Sequence, residues 1–134
     1  MSKKLIYTIC LIATLNLIGV YLAWSPLAPE EVFTSITGTK LAVAEWRGKP
    51  ALVMFWASDC PICLKEIPVL KELHQRYAAR GLQMVAVAMA YDMPSHVVSL
   101  SQAMELPYAV ALDPLGEHAR AFGDVQWTPT TILI

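Results

Sequence analysis

Apolar positions in this chain fall into runs of two lengths, and the difference sorts the elements. From Leu5 to Trp24 the sequence reads LIYTICLIATLNLIGVYLAW, uncharged, with only Thr8, Thr14, Asn16 and Gly19 outside the apolar and aromatic set. A helix of about 20 such residues matches the hydrocarbon thickness of a bilayer. The later runs have strand length. Ala51–Ala57 and Met84–Ala90 are continuous and apolar, the pattern of strands covered on both faces. Tyr108–Leu112 reads as a third such strand and Thr130–Ile134 as the start of another. Leu64, Ile67, Leu70, Leu73 and Tyr77 instead recur at three- and four-residue spacing, which predicts a helix from Pro61 to about Ala79 stopped by Gly81. Pro68 inside it predicts a kink near Lys65. Ser95–Met104 and Leu115–Phe122 read as shorter helices. Phe33–Ala44 holds two weak apolar strips around Thr37-Gly38-Thr39, a hairpin signal, and Arg47-Gly48-Lys49-Pro50 is turn chemistry.

Strands alternating with helices imply an α/β fold, with a mostly parallel or mixed central sheet covered by helices on both faces. Three regions are expected: an N-terminal transmembrane anchor over residues 1–24, a polar linker over 25–35 with Pro26, Pro29 and Glu30-Glu31, and a globular domain over 36–134. Lys3 and Lys4 precede the apolar run and no basic residue follows until Lys40, so the positive-inside bias directs the domain outward. The run exceeds the usual signal-peptide core, and Pro26 and Pro29 follow the small-residue sites, which favours an uncleaved anchor. Thr131–Ile134 is apolar with no turn or polar tail after it, which leads to the expectation of a fragment.

Composition narrows the function classes. Hydrophobic residues make up 56% of the 134, charged residues 16%, and the formal net charge is −1. No basic stripe marks a nucleic-acid partner. Of the three cysteines, Cys10 lies in the apolar run, while Cys60 and Cys63 form a Cys-x-x-Cys pair. A structural zinc site needs a second ligand pair, and His74, His96 and His118 show no such spacing. Covalent haem attachment needs His at position 64, which is Leu. A bridge across two residues closes almost no loop, so it adds little stability through chain entropy. Redox chemistry remains. A cysteine at a helix N-terminus has its thiolate favoured by unpaired N–H groups and the helix dipole, lowering its pKa below about 8.5. Cys60 occupies that position in the predicted strand–turn–helix, making it the attacking thiol and Cys63 the resolving one.

Phe55-Trp56-Ala57, Cys60-Pro61-Ile62-Cys63, Glu66 and Pro68 resemble the thioredoxin superfamily, and within it the TlpA/ResA-like envelope thiol–disulfide oxidoreductases. Arg47-Gly48-Lys49, Leu112-Asp113-Pro114 with Gly116, and Trp127-Thr128-Pro129-Thr130-Thr131 extend the likeness over most of the chain beyond the anchor. The resemblance implies a thioredoxin-like three-layer sandwich, in which a further strand and helix normally follow. It implies that Thr128 and Pro129 form a cis-proline loop facing the cysteines and, with Trp56, meet the substrate. It also implies that Glu66, three residues after Cys63, carries protons for the Cys63 thiol.

Two positions depart from the superfamily. Asp59 replaces the usual Trp before the first cysteine, where it either disfavours the Cys60 thiolate or caps the helix. Met54 stands where thioredoxins proper carry a buried Asp, which supports the envelope branch. No cofactor or metal is implied. The implied partners are protein thiols and disulfides, including apocytochromes c, with a DsbD- or CcdA-like membrane thiol carrier as reductant. A disulfide-donating oxidant is the nearest alternative. A peroxiredoxin-like peroxidase, or a copper chaperone using Cys60, Cys63 and His118, is more distant.

Overall fold

The computed structural model of the protein describes residues 3–24 and 28–134. Lys3–Trp24 form one helix, α1, of 22 residues. Among the described residues no helix is long and apolar enough to cross a membrane. The side chains described in α1 are those of Tyr7 and Cys10–Gly19, all exposed. The helix therefore coincides with the apolar run, while the membrane reading rests on the sequence. Part of the expected linker, residues 25–27, lies outside the described residues.

The domain begins earlier than residue 36. Val32–Thr34 form β1, which pairs antiparallel with β2 (Lys40–Ala42) in the register Val32↔Ala42, so the hairpin around Gly38 is present and the linker reading fails over its last residues. The reason is Phe33, a fully buried side chain stacked near Trp46 and Phe122. Burying one such ring stabilises by roughly 2–3 kcal/mol, enough to tie down a segment whose neighbours are polar. The hairpin also meets the main sheet: Ile36 N–H donates to Val110 O at 2.7 Å.

The main sheet comprises β3 (Ala51–Trp56), β4 (Gln83–Ala88), β5 (Ala109–Leu112) and β6 (Thr130–Leu133), in the order β5-β4-β3-β6. The β3–β4 and β4–β5 pairs are parallel, whereas β6 runs antiparallel to β3. All six residues of β3 are buried, as a continuous apolar run requires of a central strand. Their side chains alternate between two cores. Leu52, Met54 and Trp56 join Cys63, Ile67 and Leu70 of α2 (Pro61–Tyr77) and Val97 of α3 (Pro94–Ala103) on one face. Ala51, Val53 and Phe55 join Phe33 and Ala119 of α4 (Glu117–Ala121) on the other. The expected three layers are thus observed, with helices on both faces of a mixed sheet.

Pro68 lies within α2, which continues unbroken to Tyr77. A short 3-10 turn then leads to Gly81, whose φ of +99° is the left-handed stop expected of a glycine there. Asp113, 2% exposed, accepts from the N–H groups of His118 and Ala119 and so holds the first turn of α4.

Candidate active site

The central strand β3 delivers the cysteine pair. It ends at Trp56, and the turn Ala57–Asp59 leads directly to Cys60, whose N–H returns to Ala57 O at 3.2 Å. Cys60 is the N-cap of α2, extended in backbone (φ −90°, ψ 105°), with Pro61 preset for the first helical position. The cap is therefore Cys60 and not Asp59, which is exposed.

Cys60 and Cys63 are joined as a disulfide, with Cα atoms 5.3 Å apart. Cys63 N–H donates to Cys60 Sγ at 3.2 Å, aiming a first-turn amide at that sulfur. Cys60 is partly exposed whereas Cys63 is completely buried among Trp56, Ile67 and Ala88. Access to the pair thus runs through Cys60. Beside it, a groove of about 430 Å³ extends from Ser58 and Asp59 to His96 and Leu100 of α3.

The Thr128–Pro129 peptide bond is cis. Because β6 starts at Thr130, opposite Phe55, register places this loop at the end of the sheet where β3 runs into the cysteine turn. Thr128 and Pro129 are partly exposed. Glu66 is partly buried on α2, one turn beyond Cys63.

Residues 26–134 match the Redoxin family. The chain belongs to that family. It is 31% identical over 107 residues to the thiol-disulfide oxidoreductase ResA of Bacillus thuringiensis subsp. konkukian, covering 80% of this chain and 61% of that protein. To the ResA of Geobacillus thermodenitrificans it is 28% identical over 107 residues, 80% of this chain and 60% of the relative. The match therefore spans about three-fifths of the length of these curated relatives. A thiol:disulfide interchange protein of the thioredoxin family from Chlorobium tepidum superposes with a TM-score of 0.73 at 28% identity, covering 80% of this chain and 76% of that one. The TlpA/ResA-like resemblance drawn from the motifs stands.

Within this Redoxin-family site, Trp56 needs correction. Its side chain is 1% exposed and faces the core with Cys63, so it cannot meet a substrate at the surface; its Nε1 has no hydrogen-bond partner. An exposed aromatic beside the cis-proline is Trp127, at 81%. It sits in the quoted Trp-Thr-Pro motif, but a motif does not say which of its aromatics points outward. His118 does not stand with the cysteines either. Its Nδ1 lies 2.6 Å from Glu31 Oε2 and its partly buried ring 4.7 Å from that of Phe33, which belongs to the core on the opposite face of the sheet. Among the described residues no group of three or more His, Cys, Asp and Glu is arranged to hold a metal. Met54 is a 2%-exposed core residue.

One functional candidate carried no sequence signal. Asp92 lies after β4, and its carboxylate accepts from both the backbone N–H and the hydroxyl of Ser58, the latter at 2.6 Å. Thirty-four residues separate the partners, so no local pattern announces the pair.

Proposed function

We propose that this chain carries out thiol–disulfide exchange at Cys60 and Cys63, working as a reductant of protein disulfides on the outer side of a membrane. The observation that carries the reading is the unequal access of the pair: a partly exposed sulfur at a helix N-cap, linked to a fully buried one. In the reduced protein the Cys60 thiolate attacks one sulfur of a substrate disulfide and releases the first substrate thiolate, which takes up a proton. Cys63 then loses its proton and attacks Cys60 Sγ in the mixed disulfide, releasing the second substrate thiol. Two electrons pass to the substrate and the Cys60–Cys63 disulfide is left. A thiol carrier of the DsbD or CcdA kind would return the pair to the dithiol.

In this reading Glu66 receives the Cys63 proton, and its partial burial one turn away on the same helix supports that role. Thr128 and Pro129 hold an extended substrate segment by strand addition in this reading, which their cis bond and partial exposure support. Apocytochromes c are one substrate class that fits a reductant outside the cytoplasm.

The membrane reading draws on the run Leu5–Trp24 and on two contacts within α1. Thr14 Oγ1 donates to Leu11 O at 2.9 Å and Asn16 Nδ2 to Ile12 O at 2.7 Å, so these polar groups turn donors back onto the helix, as a lipid environment requires.

The test is trapping. A Cys63→Ser variant, lacking the resolving thiol, should remain disulfide-linked through Cys60 to its partners in an envelope preparation, where mass spectrometry identifies them. Absence of any Cys60-linked partner, with Cys60 free and reactive, defeats the proposal.

A further inference from the structure

The turn that carries Cys60 and the loop that carries Pro129 lie far apart in the sequence, and a third segment touches both. Met89–Met93 connects β4 to α3. It is closed on itself by Asp92 N–H to Met89 O at 3.0 Å, and it is fastened to the end of β3 by Met89 N–H to Trp56 O, also at 3.0 Å. From this base, Asp92 takes both donors of Ser58, two residues before Cys60. Its neighbour Tyr91 places its hydroxyl 3.3 Å from Thr128 Oγ1, next to the cis-proline.

The pairing with Ser58 is charge-assisted and uses both carboxylate oxygens, which fixes direction as well as distance. Losing one partner of such a bond leaves the other group unmatched in a partly buried place. The Tyr91 contact is longer and exposed, so it is the weaker arm. Adjacent residues of one short loop thus point to the two halves of the site.

The geometry points to Tyr91 and Asp92 as positioning residues: the Met89–Met93 loop is a clamp that sets the spacing between the Cys60 turn and the Thr128–Pro129 loop, and with it the gap that receives a polypeptide substrate. Asp92 is the stronger jaw and acts on Cys60 through Ser58. Tyr91 acts on the substrate-facing loop. The inference rests on the reading of Cys60 and Cys63 as an exchange centre. It adds that the substrate gap is held by a segment containing neither cysteine nor cis-proline.

The experiment uses the full chain in detergent and the variants Tyr91→Phe, Asp92→Ala and the double. Two quantities are read: kcat/KM for reduction of insulin disulfides, and the pH profile of Cys60 alkylation by iodoacetamide in the reduced protein. Asp92→Ala should lower kcat/KM about tenfold and shift the alkylation profile, because a displaced reacting group loses its alignment. Tyr91→Phe should lower kcat/KM about threefold through KM, leaving the alkylation profile in place. The double variant should be no worse than Asp92→Ala alone, since one open jaw already frees the loop. Asp92→Asn, which keeps one acceptor and the shape, should fall between wild type and Asp92→Ala, and it stands in if the alanine variant does not fold. Additive losses, or an Asp92 variant with wild-type kcat/KM and alkylation profile, overturn the clamp. A wild-type protein inert toward insulin, with a profile that still moves in Asp92→Ala, overturns the exchange reading and leaves only Asp92 as the group that positions the Cys60 turn.

Discussion

Cys60 and Cys63 have Cα atoms only 5.3 Å apart, yet the first is partly exposed and the second completely buried. The asymmetry comes from the helix. Cys60 caps α2 at the rim of the domain, whereas Cys63 is its first residue to point into the core beside Trp56. Reduced protein treated with iodoacetamide should be modified at Cys60 at least about tenfold faster than at Cys63, since reactivity follows thiolate character and access. Peptide mapping at short times reads the ratio, and equal labelling would remove the distinction between attacker and resolver.

Glu66→Gln should leave formation of the mixed disulfide near the wild-type rate and slow its resolution by about tenfold or more, the range of a positioned proton carrier. Rapid-quench measurement of the two steps across pH separates them. Identical resolution profiles in both proteins would return Glu66 to the role of a helix surface carboxylate.

Asp113→Ala removes a buried acceptor shared by two amides at the start of α4. A lost cap together with unmatched donors should cost about 2 kcal/mol of unfolding free energy. Urea denaturation checks the size. Because α4 packs on the face of the sheet opposite Cys63, the variant should keep the wild-type rate of Cys60 alkylation.

Tyr108 is 7% exposed, and burial pushes its phenol up from 10.0 to about 12. Its neutral form is the one the fold accommodates, so its contribution is complete below the unfolded value and disappears as pH climbs through the folded one. Stability should fall between about pH 10 and pH 12 by an amount on the order of 2 kcal/mol from this residue. Tyr108→Phe should flatten that part of the curve relative to wild type, and parallel curves for the two proteins would count against the assignment.

Trp56→Ala should destabilise by about 3–5 kcal/mol, the usual cost of emptying a large buried site. Calorimetric melting tests it. Trp127→Ala should leave the melting curve nearly unchanged, since its ring is 81% exposed.

Much of the domain was legible because its elements are strongly patterned. The β3 run Ala51–Trp56, the α2 spacing of Ile67 and Leu70, and the stop at Gly81 each state their structure locally. The cysteine pair was legible for the same reason, since strand, turn and helix follow one another without a gap. What stayed hidden was orientation and long-range pairing. A run that is apolar on both faces cannot show which face Trp56 takes, so its burial beside Cys63 was not apparent. Phe33 fell within the linker bounds because Pro26, Pro29 and Glu30-Glu31 precede it, and only the partners Trp46 and Phe122 reveal its place. Asp92 reads as an ordinary loop acid until the fold brings Ser58 to it.

The strand that delivers Cys60 is also the one held from both sides, by β4 along its whole length and by β6 over four residues. A redox cycle needs the sulfurs to separate and rejoin, but nothing behind Trp56 needs to yield for that. The working motion can be confined to Asp59 and the first turn of α2, beyond the held Ser58, while β3 behaves as a fixed anvil. Amide hydrogen exchange in β3 should then be equally slow in oxidised and reduced protein, with the difference between the two states gathered at residues 59–63.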